Sequence, residues 1–176
     1  MAGSIVSNKA QRSDMKADIQ RIAAWLQPQD ILLDVHARDR AQAFEVAASG
    51  IGLLHGVNPA LVNRALLRRE QVGSTGLGNG FAIPHAGVEG IKRPVTLFMR
   101  TRTPIEFAAK DGKPVSELLF ILAPTDGVPN DHLQLLALVA QLFSDTEFRR
   151  DLQAQTSAAS AAATFEAGIA RIVASA

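Results

Sequence analysis

Apolar residues along this chain recur either at helical spacing or in short unbroken runs, and the alternation of the two patterns outlines an α/β protein. Met15, Ile19, Ile22, Ala23 and Leu26 keep a helical period up to Pro28, which predicts a short amphipathic helix. Ile31-Leu32-Leu33-Asp34-Val35 reads as a strand. Asp39 then opens a helix with Ala43, Phe44, Val46, Ala47, Ile51 and Leu54 inward, ending near Gly56. Asn58-Pro59 starts another, to about Gln71, burying Leu61, Val62, Ala65 and Leu66.

Strands follow at Phe81-Ala82-Ile83, at Val95 to Met99, at Ile105 to Phe107, and at Leu118 to Leu122. The last is apolar at every position, as expected of a central strand buried on both faces. After Pro124 to Pro129 a helix capped by Asn130 or Asp131 carries Leu133, Leu136, Ala137, Ala140 and Phe143 on its apolar face. Ser144-Asp145-Thr146-Glu147 reads as a capping box for a short helix to Gln153, and the alanine-rich tail with Phe165, Ile169 and Ile172 as a final packed helix. This order predicts a sheet of mixed direction with helices on its faces.

At 176 residues the chain suits one domain, here residues 13–176, behind a small, polar, disordered segment over residues 1–12. Its 18 basic and 17 acidic residues nearly cancel and form no long block, so neither nucleic acid nor an anionic membrane is an expected partner. No run is long and apolar enough to insert into a membrane, and the N-terminus has no signal-peptide core. The absence of cysteine removes disulfides and thiolate chemistry and agrees with a cytoplasmic location.

Candidate chemistry gathers in Gly73-Ser74-Thr75-Gly76-Leu77-Gly78-Asn79-Gly80-Phe81-Ala82-Ile83-Pro84-His85, where a glycine-dense loop leads through a rigid proline to one imidazole. Glycines let backbone amides approach a bound anion, and Ser74 and Thr75 add hydroxyls, so phosphoryl chemistry at His85 is the leading expectation. The same string also fits a hairpin with a structural histidine. It lacks the Gly-Lys-Ser/Thr ending and the GxGxxG spacing of nucleotide loops. Arg69, in the last turn of the preceding helix, can offer a guanidinium to a phosphoryl group, although an arginine there also suits the helix dipole. His132 begins the helix that follows the central strand, where open α/β sheets collect ligands, or it is a surface residue. His36 and His55 read as structural or solvated. No ligand spacing supports zinc at His85, Asp131 and His132, and no G-x-S-x-G elbow is present.

Arg69-Glu70, the loop from Gly73 to Gly80, Ala82-Ile83-Pro84-His85 and His132-Leu133, taken in order, resemble the enzyme IIA family of the bacterial phosphotransferase system, mannitol/fructose type. The likeness runs from roughly Ile31 to Val173 and is nearest to the nitrogen-regulatory branch, since Gly78-Asn79-Gly80 has asparagine where sugar-transporting relatives tend to carry glutamate. Ala86 departs from the glycine of many relatives. The resemblance implies a phosphohistidine carrier more than a turnover enzyme, with a mixed five-stranded sheet flanked by helices and no metal or organic cofactor. It implies phosphorylation of His85 by an HPr-like protein, NPr, with Arg69 and His132 steadying the phosphoryl group and Ser74 and Thr75 beside it. It further implies regulated target proteins, such as potassium transporters or sensors, and a partner-docking rim is expected at Leu77, Phe81 and Phe107. A sugar-specific uptake subunit and a non-catalytic interaction module stand as alternatives.

Overall fold

The structure is a computed structural model describing residues 26–126 and 129–175, without the side chains of 129–132. The expected segment 1–12 and, apart from Leu26, the expected helix of residues 15–26 lie outside these. After a 3-10 turn at Pro28–Asp30 come strands β1 (Ile31–Val35), β2 (Gly76–Gly78), β3 (Phe81–Ala82), β4 (His85–Val88), β5 (Val95–Ile105) and β6 (Val115–Pro124). The helices are α1 (Arg40–His55), α2 (Pro59–Val72), α3 (Pro129–Ser144), α4 (Thr146–Gln153) and α5 (Ala158–Ser175).

These elements form the expected mixed sheet, in the order β1, β5, β6, β3, β2, with β4 also on β6. β1 runs parallel to β5, β5 antiparallel to β6, and both β3 and β4 parallel to β6. Phe81 faces Glu117 and His85 faces Ile121 on that strand, so β3 and β4 share one edge of β6 and are separated by Ile83-Pro84. Counted that way, the six strands fill five positions in the sheet.

β6 is the central strand, and alternate residues feed two cores. Leu118, Phe120 and Leu122 pack under α1 and α2 with Phe44, Ile51 and Leu66. Leu119 and Ile121 pack under α3, α4 and α5 with Phe143, Phe148 and Phe165. The period of two along a strand thus puts helices on both faces. In the second core Phe148 and Phe165 meet edge to face with ring centroids 5.4 Å apart, and Phe98 meets Phe165 at 5.2 Å.

Several helix ends follow local chemistry. Asp39 accepts from the Gln42 amide at the start of α1, and Gly56 closes that helix in the left-handed conformation, with φ of 67°. Asn58 caps α2, whose first residue is Pro59. Others differ from expectation. The cap of α4 is Asp145, accepting from the amides of Glu147 and Phe148, while the Ser144 hydroxyl turns back to donate to the Gln141 carbonyl. α3 begins at Pro129, so Asn130 and Asp131 stand inside its first turn and are not its cap. The strands expected at Val95 to Met99 and Ile105 to Phe107 are one strand that ends at Ile105, with a register shift between Arg100 and Ile105.

The inward face of α3 also differs. Leu135, Leu138, Val139, Leu142 and Phe143 are buried, whereas Leu133 is 62% exposed and Ala137 and Ala140 face outward. Because apolar residues surround this helix on most sides, periodicity alone did not select the face that meets the core.

Candidate functional site

The last turn of α2 and the chain reversal after it build the site. Arg69 and Glu70 are neighbours on that turn and leave it in different directions. Arg69 donates through Nη1 to the Gly73 carbonyl, 2.8 Å away, and through Nε to His85 Nε2, 3.2 Å away. Its Nη2 makes no hydrogen bond to another described residue, which leaves a donor for an incoming anion. Arg68, its neighbour on the helix, is exposed.

His85 is half-buried at the start of β4, and its Nδ1 lies 2.8 Å from the Ile83 carbonyl oxygen. A carbonyl only accepts, so Nδ1 carries the proton, and Nε2 presents the lone pair to which Arg69 donates. Pro84 holds the two residues of this contact in a fixed relation, because its ring restricts the backbone between them. The geometry therefore distinguishes the two ring nitrogens, with the lone pair on Nε2, a distinction that the sequence does not contain.

The glycine string serves two purposes. Gly76–Gly78 pairs antiparallel with Phe81–Ala82 around Asn79-Gly80, whose φ values of 56° and 84° suit a two-residue hairpin turn. The hairpin reading is thus correct for residues 76–82, and Gly78 and Gly80 supply positive φ. Asp111 holds the tip by accepting from the Asn79 amide at 2.8 Å, which keeps its carboxyl below the usual range. Gly76 is needed for space: a Cβ there would lie 2.9 Å from the Cα of Ala109.

Ser74 and Thr75 both line the cleft above His85, a space of about 260 Å³. Their hydroxyl protons, however, have internal acceptors. The Ser74 hydroxyl donates to the Phe107 carbonyl at 2.9 Å and accepts from the Gly76 amide at 3.1 Å. That of Thr75 donates to Glu70 Oε2 at 2.6 Å. Both residues shape the loop, and their donors are engaged before any ligand arrives.

Two groups that sequence reasoning passed over are part of the site. Lys110 lines the cleft and adds a second cation. Glu70, only 6% exposed, also accepts from the Thr75 amide and from Arg40, whose guanidinium lies over the Phe107 ring. A carboxylate at the end of a polar helical turn looks like a solvated group, and only the reversal at Gly73 buries it.

Leu136 and Ala140 of α3 form the opposite wall. Position 132 lies one helical turn before Leu136 on the same helix, while the His132 side chain itself is outside the described residues. Leu77 is 42% exposed beside the cleft, but Phe81 and Phe107 are each 1% exposed in the core and form no rim. His55 is structural, its Nε2 2.8 Å from Oδ1 of the buried Asp30, and His36 is exposed. Among the described residues no cluster of metal-ligating side chains occurs, and no helix is long and apolar enough to cross a membrane.

Comparison with known proteins identifies the family. The family model described as "Phosphoenolpyruvate-dependent sugar phosphotransferase system, EIIA 2" matches residues 24–167. The nitrogen regulatory protein of Bradyrhizobium diazoefficiens is 36% identical over 131 residues, 74% of this chain and 85% of that protein. That of Escherichia coli K12 is 39% identical over 124 residues, 70% and 76% of the two chains. The crystal structure of the nitrogen regulatory protein IIA-Ntr from Neisseria meningitidis superimposes with a TM-score of 0.77 at 36% identity, covering 82% of this chain and 98% of that one. The chain therefore belongs to the EIIA type 2 family of the phosphoenolpyruvate-dependent phosphotransferase system, among relatives named nitrogen regulatory protein.

Proposed function

We propose that this protein is a regulatory phosphocarrier that takes a phosphoryl group on Nε2 of His85 from the phosphohistidine of an HPr-like protein, NPr, in the cytoplasm. The observation that carries the reading is the imidazole itself, with Nδ1–H on the Ile83 carbonyl and Nε2 facing the Arg69 guanidinium. In the transfer, the Nε2 lone pair forms the new N–P bond as the donor's N–P bond breaks, and the donor imidazole leaves with that electron pair. The His85 ring gains positive character, which the Ile83 carbonyl offsets, while Arg69 turns its fork from Nε2 to the phosphoryl oxygens. Lys110 lines the same cleft and would add to the field on the phosphoryl group.

By the family resemblance, His132 is taken as a further donor to the same group. Ser74 and Thr75 are assigned to loop geometry. Adding about 1.5 to 2 negative charges at His85 would alter the surface met by regulated targets, for which potassium transport or sensing proteins are the leading class.

The test is intact-mass measurement after mixing the protein with phosphoenolpyruvate, the nitrogen-branch enzyme I and NPr, beside His85→Ala. One acid-labile phosphoryl group on the wild type alone is expected. Onward transfer to a fructose- or mannitol-type sugar component would instead support an uptake subunit, and no labelling of the folded protein by an active donor would support a pure interaction module.

A further inference from the structure

A buried carboxylate next in sequence to Arg69 is tied to the reactive imidazole by successive hydrogen bonds. Glu70 accepts the Thr75 amide at 3.1 and 3.2 Å and the Thr75 hydroxyl at 2.6 Å, so one side chain holds both polar hydrogens of that residue. The carbonyl of the same Thr75 accepts from the Ile83 amide at 3.0 Å. The Ile83 carbonyl in turn accepts from His85 Nδ1 at 2.8 Å. Arg40 Nη1, 3.3 Å from Glu70 Oε1, fixes the carboxylate from the other side.

We propose that Glu70 is a positioning residue for His85: by clamping Thr75 it fixes Ile83, and thereby the carbonyl that selects the Nδ1–H tautomer and leaves Nε2 as nucleophile. The inference rests on the reading of His85 as phosphoryl acceptor. It goes beyond that reading in naming the group that makes the acceptor nitrogen specific. The chain of contacts passes through separate peptide units, so its action is geometric: it sets where the Ile83 oxygen sits. Glu70 does not face the cleft and would not touch the phosphoryl group. Arg69 holds the other side of the same reversal through the Gly73 carbonyl, so successive residues of one helical turn secure the loop and the nucleophile together.

The experiment uses the full chain with Glu70→Gln, Thr75→Val and Thr75→Ser. Thr75→Val keeps the shape and removes the hydroxyl donor, Thr75→Ser keeps the donor, and Glu70→Gln keeps the shape and weakens the acceptor. Nitrogen-15 spectra report the His85 tautomer, and single-turnover transfer from phosphorylated NPr reports the rate. In wild type and Thr75→Ser the Nδ1–H form should dominate. In Glu70→Gln and Thr75→Val the Nε2–H form should rise and the transfer rate fall about tenfold or more, the scale expected of a displacement under 1 Å at a reacting group.

Wild-type tautomer populations and rates in both folded variants would overturn the proposal. If Glu70→Gln does not fold, the valine and serine pair decides alone. If the wild type accepts no phosphoryl group, the phosphocarrier reading fails, while the tautomer spectra still decide whether Glu70 positions the ring.

Discussion

At the scale of single residues, the cleft assigns unequal roles to adjacent arginines. Arg69 spans His85 Nε2 and the Gly73 carbonyl with different nitrogens of one guanidinium, a reach that a lysine's single nitrogen cannot reproduce. Arg69→Ala should slow phosphoryl transfer to His85 by about 10²-fold, the usual scale for losing a preorganised donor, while the label stays on His85. Arg69→Lys should recover only part of the loss, and Arg68→Ala, at an exposed position, should transfer at the wild-type rate. Quench-flow rates on the three variants check this, and equal slowing in Arg68→Ala would make the effect one of overall charge. That Arg69 lies close to the His85 loop was legible in the sequence because its helix runs straight into the glycines, and the family resemblance singled it out. Glu70 and Lys110 were not, since their roles depend on which parts of the chain fold over them.

At the scale of elements, contact distances decide what otherwise similar glycines do. Gly50 lies in α1, where an added Cβ would sit 3.4 Å from Leu32 Cδ1, an ordinary contact. Gly168 lies in α5, where a Cβ would come within 2.7 Å of both Leu142 Cδ1 and Phe148 Cδ2. Gly50→Ala should therefore stabilise by up to about 1 kcal/mol through helix propensity and reduced unfolded-state freedom. At Gly168 overpacking of about 1–3 kcal/mol should outweigh that gain, because Phe148 is fully buried and has little room to retreat. Denaturant unfolding of the two variants should move in opposite directions, and a stabilised Gly168→Ala would mean that α5 shifts to make room. The longer helices and the central strand were readable because many residues repeat one pattern. β2 and β4, at three and four residues, were not, because they are paired by position along the sheet and have no apolar rhythm of their own.

At the scale of the whole molecule, near-zero net charge leaves pH dependence to individual groups. Hydrogen bonding and the charge of Arg102 hold the Asp34 carboxyl below its ordinary value, and backbone amides do the same for Asp39 and Asp111. Such groups contribute stability above the unfolded carboxylate value and lose it as pH falls through their lower folded values.

Glu117 acts in the opposite sense. It is 3% exposed on β6, its Oε1 is 2.6 Å from Arg100 Nε, and its Oε2 has no hydrogen-bond partner among the described residues. Burial pushes its carboxyl up from the ordinary 4.5 despite Arg100. The folded protein therefore binds this proton more readily than the unfolded chain. The resulting stability is fully present below the unfolded value and is lost as pH rises through the raised folded value. Glu117→Gln removes the titration, while Arg100 keeps its hydrogen bonds to the Leu152 and Gln155 carbonyls at 2.7 and 2.6 Å, so the C-terminal end of α4 stays anchored. Between pH 4.5 and neutrality the unfolding free energy of wild type should fall relative to that of the variant, read from denaturant curves at closely spaced pH. Parallel curves would mean that Glu117 stays ionised throughout, with Arg100 offsetting its burial.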